Sequence, residues 1–335
     1  MRRDHGPTYR RTGRSAGLCP AQRGHPPRPD GAAVIIGLTG ATGFVGSTLL
    51  DLALEQGHEI RALTRREQAE RAGVTWVRGD LATQTALLSV CDGADAVVHV
   101  AGVVNAPDKA GFVAGNVTGT KATLAAAAAA GVGRFVHVSS LSAREPMLSD
   151  YGKSKFGGEV AVENSDLACT IVRPPAIYGP RDTEMFELFK AARLGIVPLP
   201  PEGRASMIHV SDLAALLLAL ATDGGLYAGQ VYEVDDGTDG GWRHGDMARA
   251  IGDAMGCKVI PLSMPAALVK GAARIDRMVR GANAKLTPDR ANYMVHPDWV
   301  VTPDSQPPPA FWLPRIDTRE GLKQTAAWYR AAGWL

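Results

Sequence analysis

The chain has few cysteines, and none of them is spaced for a metal site. Cys19, Cys91, Cys169 and Cys257 are scattered along 335 residues without a CxxC or CxxH pair. Zinc sites and disulfide frameworks need closely spaced cysteines, so we expect neither in this chain. No metal-binding residue is expected. This cysteine usage predicts a reducing, cytoplasmic compartment.

Long hydrophobic runs are also missing. The richest one, Leu213–Ala221, is far shorter than the roughly 20 residues of a bilayer-spanning helix, so no transmembrane segment is predicted. Residues 1–32 hold seven arginines and several prolines, but no apolar stretch of the kind a secretory signal contains. We expect a disordered basic extension there, or a misassigned start codon, with an organelle leader as the alternative.

The chain shows no strong excess of one charge. Its formal net charge is +2, and because arginines are concentrated in residues 1–32, the remainder is mildly acidic. This balance argues against nucleic acid as a partner. With 45% hydrophobic residues, the chain can bury a substantial core as one large domain or two lobes.

A glycine-rich turn is the most informative feature that is present. The segment Thr39–Gly46 follows the apolar run Val34–Leu38 and opens a helical pattern. Gly40 permits a tight strand-to-helix turn, Gly43 lets the backbone approach a pyrophosphate, and Gly46 lets the helix pack closely on the sheet. The free N–H groups of that helix face a phosphate, so the turn predicts a dinucleotide-binding fold.

From Val34 to about Arg173, short apolar runs alternate with helical segments, as in βαβ units around a parallel sheet. Right-handed crossovers then predict a doubly wound α/β sheet of the Rossmann type, with ligands at the carboxyl ends of the strands. The predicted strands are Val34–Leu38, Glu59–Leu63, Thr75–Arg78, Ala96–Val100, Phe135–Val138 and Ala168–Arg173. The predicted helices lie near 44–56, 83–91, 117–130 and 151–163.

After Arg173, prolines separate short elements and indicate a smaller, less regular lobe. We therefore expect a nucleotide-binding Rossmann domain over residues 33–175 and a substrate-binding lobe over residues 176–335. Segments near 207–236, including a strand at Val231–Val234, are expected to rejoin the main sheet. A closing helix is predicted over residues 318–331, capped by Asp317 or Thr318.

A second pattern indicates acid/base chemistry. Val138–Ser140 ends the fifth predicted strand, and Tyr151 and Lys155 follow it, four residues apart and therefore on one face of a helix. An ammonium beside a phenol lowers the phenol pKa from its usual value near 10, which lets Tyr151 exchange a proton with a substrate oxygen. The Ser140 hydroxyl can bind the same oxygen, and Ser139 is the alternative.

Together these patterns resemble the short-chain dehydrogenase/reductase superfamily, in its extended, epimerase/dehydratase-like branch. The resemblance covers about residues 33–235 well and the rest loosely. Besides the glycine turn, the strand end and the Tyr-Lys pair, it is carried by Gly79–Leu81, Asn116–Thr120, Arg173–Pro174, Tyr178–Pro180 and Ile208–Asp212.

The resemblance implies roles for individual residues. Tyr151 would be the general acid/base, Lys155 would also bind the nicotinamide ribose, and Ser140 would steady the substrate. Asp80 is expected against the adenine, with a turn role as the alternative, and Asn116 either lines the site or caps a helix. The implied cofactor-binding residues are Gly40, Thr42, Gly43, Phe44, Val45, Asp80, Leu81, Ala101, Gly102, Tyr151, Lys155, Pro174 and Ile177.

The end of the second predicted strand bears on which cofactor is used. An NAD-specific fold usually places an acidic residue there to bind the ribose 2′-OH. This chain has Leu63–Arg66 instead, with two guanidiniums able to bind a 2′-phosphate. We therefore predict that the cofactor is NADP, with Arg65 as one of its ligands, and NAD is the alternative. The competing interpretation is that both arginines are solvated surface charges.

Two other sets of residues have simpler interpretations. His99 and His137 lie in apolar strands without carboxylate or cysteine partners, so we interpret them as core histidines rather than metal ligands. The aromatic residues near the C-terminus most often indicate packing, with a lipid-like substrate pocket or a dimer face as alternatives: Trp299, Phe311, Trp312, Trp328, Tyr329 and Trp334.

The leading functional hypothesis is an NAD(P)-dependent oxidoreductase that transfers hydride to or from a carbonyl or alcohol carbon of a small molecule. A sugar-nucleotide epimerase or dehydratase would use the same three residues, with Arg181, Arg193 and Arg204 available for a diphosphate. A non-catalytic NADP-binding scaffold or sensor is the alternative of another class. The substrate is not specified by the sequence, and a homodimer is an expectation from the family alone.

Overall fold

The computed structural model describes residues 33–281 and 284–335. The predicted basic extension, residues 1–32, lies outside the described residues. Strands in chain order are β1 Ile35–Thr39, β2 Glu59–Thr64, β3 Val74–Arg78, β4 Ala96–His99, β5 Arg134–Val138, β6 Cys169–Arg173, β7 Ala176–Tyr178, β8 Ile196–Leu199, β9 Arg204–Ala205, β10 Met207–His209, β11 Val231–Glu233, β12 Trp242–Arg243, β13 Ile260–Ser263 and β14 Asp298–Trp299.

The α-helices follow the same order. They are α1 Phe44–Glu55, α2 Gln84–Cys91, α3 Lys109–Val113, α4 Gly119–Ala129, α5 Asp150–Glu163, α6 Phe186–Arg193, α7 Val210–Thr222, α8 His244–Met255, α9 Ala266–Arg280, α10 Pro288–Met294 and α11 Thr318–Ala331. A π-helical turn, Ala114–Thr118, connects α3 to α4, and a 3₁₀ turn, Leu141–Arg144, follows β5. No helix of the described part of the chain is long and apolar enough to cross a membrane.

Seven strands form one parallel sheet in the order β11-β6-β5-β4-β1-β2-β3. This is the predicted doubly wound Rossmann arrangement. The order reverses between β1 and β4, where ligands of such sheets bind. Because β1, β4, β5 and β6 are neighbours, the loops that follow their carboxyl ends meet along one edge.

The sheet is covered on both faces, which explains its nearly continuous apolar strands. One face packs against α1 and α7, and α1 is closely packed on α7. The other face packs against α2 and α4. The predicted return of the chain to the sheet is made by β11, which pairs in parallel with β6. β10 instead pairs with β7 in a separate two-stranded sheet.

The C-terminal elements form a second apolar cluster. Helices α6, α8 and α11 pack together around Phe189, Ile251 and Tyr329. Two small sheets, β8 with β13 and β9 with β12 and β14, join these elements. Asp317 caps α11, since its carboxylate accepts a hydrogen bond from the Glu320 N–H at 3.0 Å. The helix pair α9 and α10 packs as a smaller cluster of its own.

Candidate active site

The glycine turn after β1 has the geometry of a phosphate cradle. Gly40 has φ 78°, a left-handed conformation that favours glycine, and its carbonyl accepts a hydrogen bond from the Gly43 N–H at 3.0 Å. A Cβ at Gly46 would collide with the Gly40 carbonyl oxygen. Helix α1 begins at Phe44 with no side-chain cap and no acid in its first turn. Its first N–H groups are therefore available to an anion, with Thr42 exposed beside them.

The two serines after β5 have different partners. Ser139 is buried, and its hydroxyl donates to Glu159 Oε1 at 2.6 Å. Ser140 is half-buried and caps the following 3₁₀ turn, where its Oγ accepts from the Ser142 N–H at 3.2 Å and from the Ser142 hydroxyl at 3.0 Å. Ser139 is thus engaged below the site, and Ser140 lies at its surface.

Tyr151 lies in the first turn of α5. Burial raises the pKa of its phenol, while hydrogen bonding with Ser140 and Ser142 and the positive charge of Arg290 act in the opposite direction. The sequence predicted that Lys155 would lower this pKa. In the structure burial dominates, and the cation that acts on the phenol is Arg290. The sequence argument missed the second effect because Arg290 lies far away along the chain.

Lys155 is buried beneath the site, and its Nζ donates to the Val138 carbonyl at 2.8 Å. Burial lowers the pKa of Lys155 to about 8, although the negative charge of Glu159 opposes this change. The ammonium also lies close to Gly102, because a Cβ built at Gly102 would be 3.5 Å from Nζ. A ligand group over Gly102 would therefore meet a cation.

These residues line one cavity of about 160 Å³ at the carboxyl edge of the sheet. Seven of the predicted residues line this cavity: Val45, Gly102, Ser140, Tyr151, Lys155, Pro174 and Ile177. The rest of the lining is mainly apolar and consists of Val100, Val103, Val104, Asn116, Val138, Ser139 and Pro175. Loops from four adjacent strands thus bring a hydroxyl, a phenol and an ammonium to one apolar cavity.

The other predicted residues lie around the cavity. Ala101 adjoins the glycine turn, since its N–H donates to the Thr39 hydroxyl at 3.2 Å. Leu81 packs against the start of α4 at Gly119. The Asp80 carboxylate accepts from the Ala82 N–H at 3.0 Å and from the Thr83 hydroxyl at 2.8 Å, which is the turn role weighed as the alternative. These bonds, and more weakly the charge of Arg65, lower the pKa of Asp80.

Arg65 and Arg66 are exposed at the end of β2. The turn that presents them is fixed by Thr64, whose hydroxyl donates to the Arg66 carbonyl at 2.7 Å and accepts from the Arg66 N–H at 3.2 Å. Among the described residues, neither guanidinium has an ion-pair partner. Both charges therefore remain available to an anion at this corner of the sheet.

Of its two expected roles, Asn116 takes the first, since it lines the cavity. It lies buried in the π-helical turn, where its Oδ1 accepts from the Val103 N–H at 2.7 Å and its Nδ2 donates to the Val103 carbonyl at 2.8 Å. It also donates to the Ser154 hydroxyl at 2.9 Å. Asn116 therefore lines the cavity and fastens the loop after β4 to α5, without capping a helix.

Helix α10 contributes residues that the sequence analysis missed. Asp289 accepts hydrogen bonds from the N–H groups of Asp150 at 2.6 Å and Tyr151 at 3.3 Å, so it holds the start of α5. The Tyr293 ring lies 5.9 Å from the Tyr151 ring, centroid to centroid. Arg290 is paired with Glu184. No motif marks this short helix, and only the fold brings it to Tyr151.

The core histidines are neutral. His99 bonds to the hydroxyls of Thr39 at 2.8 Å and Thr120 at 3.1 Å, and its ring stacks on His137 at 5.5 Å. Burial lowers the pKa of His99 to about 3, and it lowers the pKa of His137 as well. In the two described ranges no group of His, Cys, Asp and Glu could hold a metal ion.

The site fits a nicotinamide dinucleotide. An uncapped helix follows a turn that admits only glycine at two positions, and two exposed guanidiniums lie at the end of the next strand. Gly102 leaves space beside the Lys155 ammonium. Such features can hold the phosphate and ribose groups of a nicotinamide dinucleotide.

Comparison with known proteins agrees with this geometry. Residues 36–234 match the NAD dependent epimerase/dehydratase family. A ceramide reductase of Caulobacter vibrioides is 40% identical over 314 residues, which cover 90% of this chain and 96% of that protein. A 2-alkyl-3-oxoalkanoate reductase of Stenotrophomonas maltophilia is 31% identical over 233 residues, covering 60% of this chain and 70% of that protein.

The fold is shared with solved structures. The enzyme WbmH of Bordetella bronchiseptica, in complex with NAD+, superposes with a TM-score of 0.70 at 20% identity, covering 90% of this chain and 100% of that one. The family match spans more than half of the chain and contains the glycine turn, the strand end and the Tyr-Lys pair. The chain therefore belongs to the NAD dependent epimerase/dehydratase family and is an enzyme of the extended short-chain dehydrogenase/reductase type.

Proposed function

We propose that this enzyme is an NADP-dependent ketoreductase that converts a ketone of a long-chain, ceramide-like lipid to a secondary alcohol. The observation that carries the proposal is the cavity in which Ser140, Tyr151 and Lys155 meet apolar walls. A ketone needs one proton donor and one hydride donor. The apolar walls suit the hydrocarbon on either side of it.

In the mechanism, the Tyr151 phenol gives its proton to the ketone oxygen, and the Ser140 hydroxyl donates a hydrogen bond to the same oxygen. When bound, the reduced nicotinamide supplies the hydride that forms the new C–H bond at the carbonyl carbon. Burial raises the pKa of Tyr151, so the phenol is protonated and ready to donate at neutral pH. The charge of Arg290 then stabilises the phenolate that remains.

Lys155 has a binding and a positioning role in this proposal. Its Nζ is held by the Val138 carbonyl next to Gly102, so it can donate to a ribose hydroxyl placed over that glycine. Through that hydroxyl the Lys155 ammonium would return a proton to the Tyr151 phenolate, and Lys155 would take up a proton again from water.

The substrate class is supported by relatives. Their names share a ketone or secondary alcohol on a large apolar molecule: a ceramide reductase, a 2-alkyl-3-oxoalkanoate reductase and a 3-beta-hydroxysteroid dehydrogenase. Of these, the ceramide reductase matches along nearly its whole length. This is why we propose a ceramide-like ketone rather than a steroid.

A sugar-nucleotide substrate has less support. Of the guanidiniums considered for a diphosphate, Arg181 is paired with Asp51 at 2.9 Å, and Arg204 donates to the Gly240 carbonyl at 2.6 Å. Arg193 is exposed at the end of α6. Two of the three are therefore engaged within the chain, and the walls of the cavity are apolar.

The function is tested by Tyr151→Phe. We expect kcat for a ceramide ketone in detergent micelles to fall by about 10²–10⁴-fold, while NADPH affinity stays within about twofold, because the phenol hydroxyl donates the proton and does not hold the cofactor. Tyr293→Phe is the matched control, since its ring lies beside Tyr151 and its hydroxyl has no role in the proposed proton transfer. Deuterium-labelled NADPH should transfer its label to the alcohol.

Unchanged turnover in Tyr151→Phe would reject the acid/base role. A wild-type protein that retains NAD through native mass spectrometry and never labels the ketone would instead support an epimerase or dehydratase, which returns hydride to its own substrate.

Cofactor choice is tested separately with Arg65→Ala. We expect NADPH affinity to fall by about 10- to 100-fold and NADH affinity to stay unchanged, since a charge-assisted bond to the 2′-phosphate is lost. Fluorescence titration of both cofactors measures this, with Arg193→Ala as the exposed-arginine control. NADH binding that is tighter than NADPH binding in the wild type would overturn the assignment.

A further inference from the structure

Helix α9 presents an apolar face to solvent. Leu268 is 62% exposed, Ile275 59%, Met278 79% and Val279 74%. With the exposed Ala272, these residues follow a spacing of three and four along the 15-residue helix, so they share one side of it. The opposite side is buried through Val269 and Ala273. A continuous exposed stripe of this kind marks an interaction surface.

The side of α9 that faces away from this apolar stripe is basic. Lys270, Arg274, Arg277 and Arg280 lie on α9, against one acid, Asp276. That acid is engaged, because its carboxylate accepts from the Leu286 N–H at 2.8 Å and faces Arg280 at 3.3 Å. Within the part of the chain that is described, Lys270 and Arg274 have no ion-pair partner. The surface therefore combines exposed apolar side chains with uncompensated positive charge.

This helix lies against both structures that flank the cavity. Its buried side packs on α10, whose Tyr293 lies beside Tyr151. Near its other end, Arg277 donates to the Pro107 carbonyl at 3.0 Å, in the loop that follows β4. The same loop carries Val104, which lines the cavity and is 65% exposed. An apolar partner that binds the exposed stripe of α9 would therefore lie next to the apolar side of the cavity.

We propose that α9 docks on the surface of an anionic phospholipid bilayer, with its apolar stripe among the acyl chains and its cations at the headgroups. Apolar and Lys/Arg faces on one helix are the features of interfacial helices. With 15 residues, α9 is too short to cross the bilayer and would lie along it. A second copy of the chain fits less well, because a second α9 would bring the same four cations and only Asp276 to compensate them.

Vesicle sedimentation of the full chain tests the proposal. We expect binding to an equal mixture of phosphatidylcholine and phosphatidylglycerol, weaker binding to phosphatidylcholine alone, and release by high salt. Ile275→Ser with Val279→Ser should weaken binding about tenfold or more, because the bilayer would no longer bury these two apolar side chains. Lys270→Gln with Arg274→Gln should weaken vesicle binding about 25-fold, at about fivefold for each cation.

The matched control is Leu226→Ser. Leu226 is 81% exposed, in the loop before β11 at the opposite, amino-terminal edge of the sheet, so its replacement should leave vesicle binding unchanged. NADPH affinity should be the same in all these variants, which shows that they fold.

Absence of binding to anionic vesicles would overturn the proposal. So would a wild-type dimer that dissociates in the Ile275→Ser, Val279→Ser variant without any vesicle binding, since a second copy would then cover the face. The inference does not rest on the proposed substrate: vesicle binding is measured without turnover, and a protein that binds vesicles but reduces no ketone would overturn the proposed function alone.

Discussion

At the residue scale, Lys155 is a charge that the fold buries. Its side chain is 6% exposed, and burial lowers its pKa from 10.5 to about 8. At about 1.4 kcal/mol per pKa unit, this corresponds to about 3 kcal/mol of lost native stability when the ammonium is fully charged. We propose that Lys155 is retained despite this cost because its cation holds a ribose hydroxyl and supports Tyr151.

This burial predicts a pH-dependent difference between the wild type and Lys155→Met. Between about pH 8 and about pH 10.5 the unfolded wild type keeps a proton that the native state has lost, so native stability rises with pH in that window. Relative to Lys155→Met, the wild type should therefore gain about 3 kcal/mol of unfolding free energy between neutral pH and the top of that window.

Urea denaturation of both proteins across this pH range measures the difference, because groups common to both cancel. Lys155→Met should also lose turnover while remaining folded at neutral pH. A stability difference that does not change with pH would show that Lys155 titrates in the native state as it does in the unfolded chain.

At the scale of elements, α10 determines how the start of α5 is held. Asp289 supplies an acceptor to two N–H groups of the first turn of α5, at the residue that carries the phenol and the one before it. Ser149 caps the same turn by accepting from the Gly152 N–H at 2.9 Å. The position of Tyr151 therefore depends on two elements that are far apart in the chain.

Asp289→Ala should lower kcat/KM by about tenfold, because it removes one charge-assisted and one weaker hydrogen bond and allows Tyr151 to shift. Asp289→Asn keeps an acceptor oxygen and should retain most of the activity. Steady-state kinetics on the two variants, with NADPH affinity measured in parallel, makes the comparison. Equal losses of kcat/KM in both variants would show that the negative charge of Asp289 matters, and not its hydrogen bonds to the start of α5.

The strands and helices predicted for residues 33–175 agree with the structure to within two residues, but the short helix α3 was not predicted. The first predicted strand, Val34–Leu38, is Ile35–Thr39 in the structure, and the closing helix over 318–331 has the predicted bounds. Buried parallel strands, glycine terminators and capping acids are local signals, so they can be read without the fold. Helix α9 was missed because its regular apolar stripe lies among prolines and faces solvent rather than a core.

The site could be predicted only where a motif carries it. Ser140, Tyr151 and Lys155 meet in one cavity as the pattern indicates. The predicted lowering of the Tyr151 pKa was wrong, because burial, which depends on tertiary packing, raises it. Arg290 and Tyr293 follow no spacing relative to Tyr151, so only the folded chain reveals their contact with it.

At the scale of the whole molecule, one buried charge network joins the sheet to the C-terminal lobe. Arg173 on β6 donates to Glu159 on α5 at 2.6 Å and to Glu233 on β11 at 3.3 Å. Glu233 also accepts from the Thr302 N–H at 2.8 Å. Arg144 faces Glu233 and donates to the Val300 carbonyl at 2.7 Å. Glu233 thus connects the last strand of the sheet to the segment after β14.

Glu233→Ala should lower the free energy of unfolding by about 2–3 kcal/mol, because Arg173 and Arg144 each lose one of their acceptors and the Thr302 N–H loses its carboxylate acceptor. Glu320→Ala, which breaks an exposed pair with Lys323, is the control and should cost less than about 1 kcal/mol.

The same substitution should also separate the two parts of the molecule during unfolding. Five of the six tryptophans follow Glu233 in the chain, so fluorescence reports mainly on the C-terminal elements, whereas far-UV circular dichroism reports on the whole chain.

We expect the two urea transitions to coincide in the wild type and in Glu320→Ala. In Glu233→Ala the fluorescence transition should come at lower urea, because the lobe has lost its buried connection to the sheet. Coincident transitions with a small loss of stability would mean that the apolar contacts between sheet and lobe are sufficient without this carboxylate.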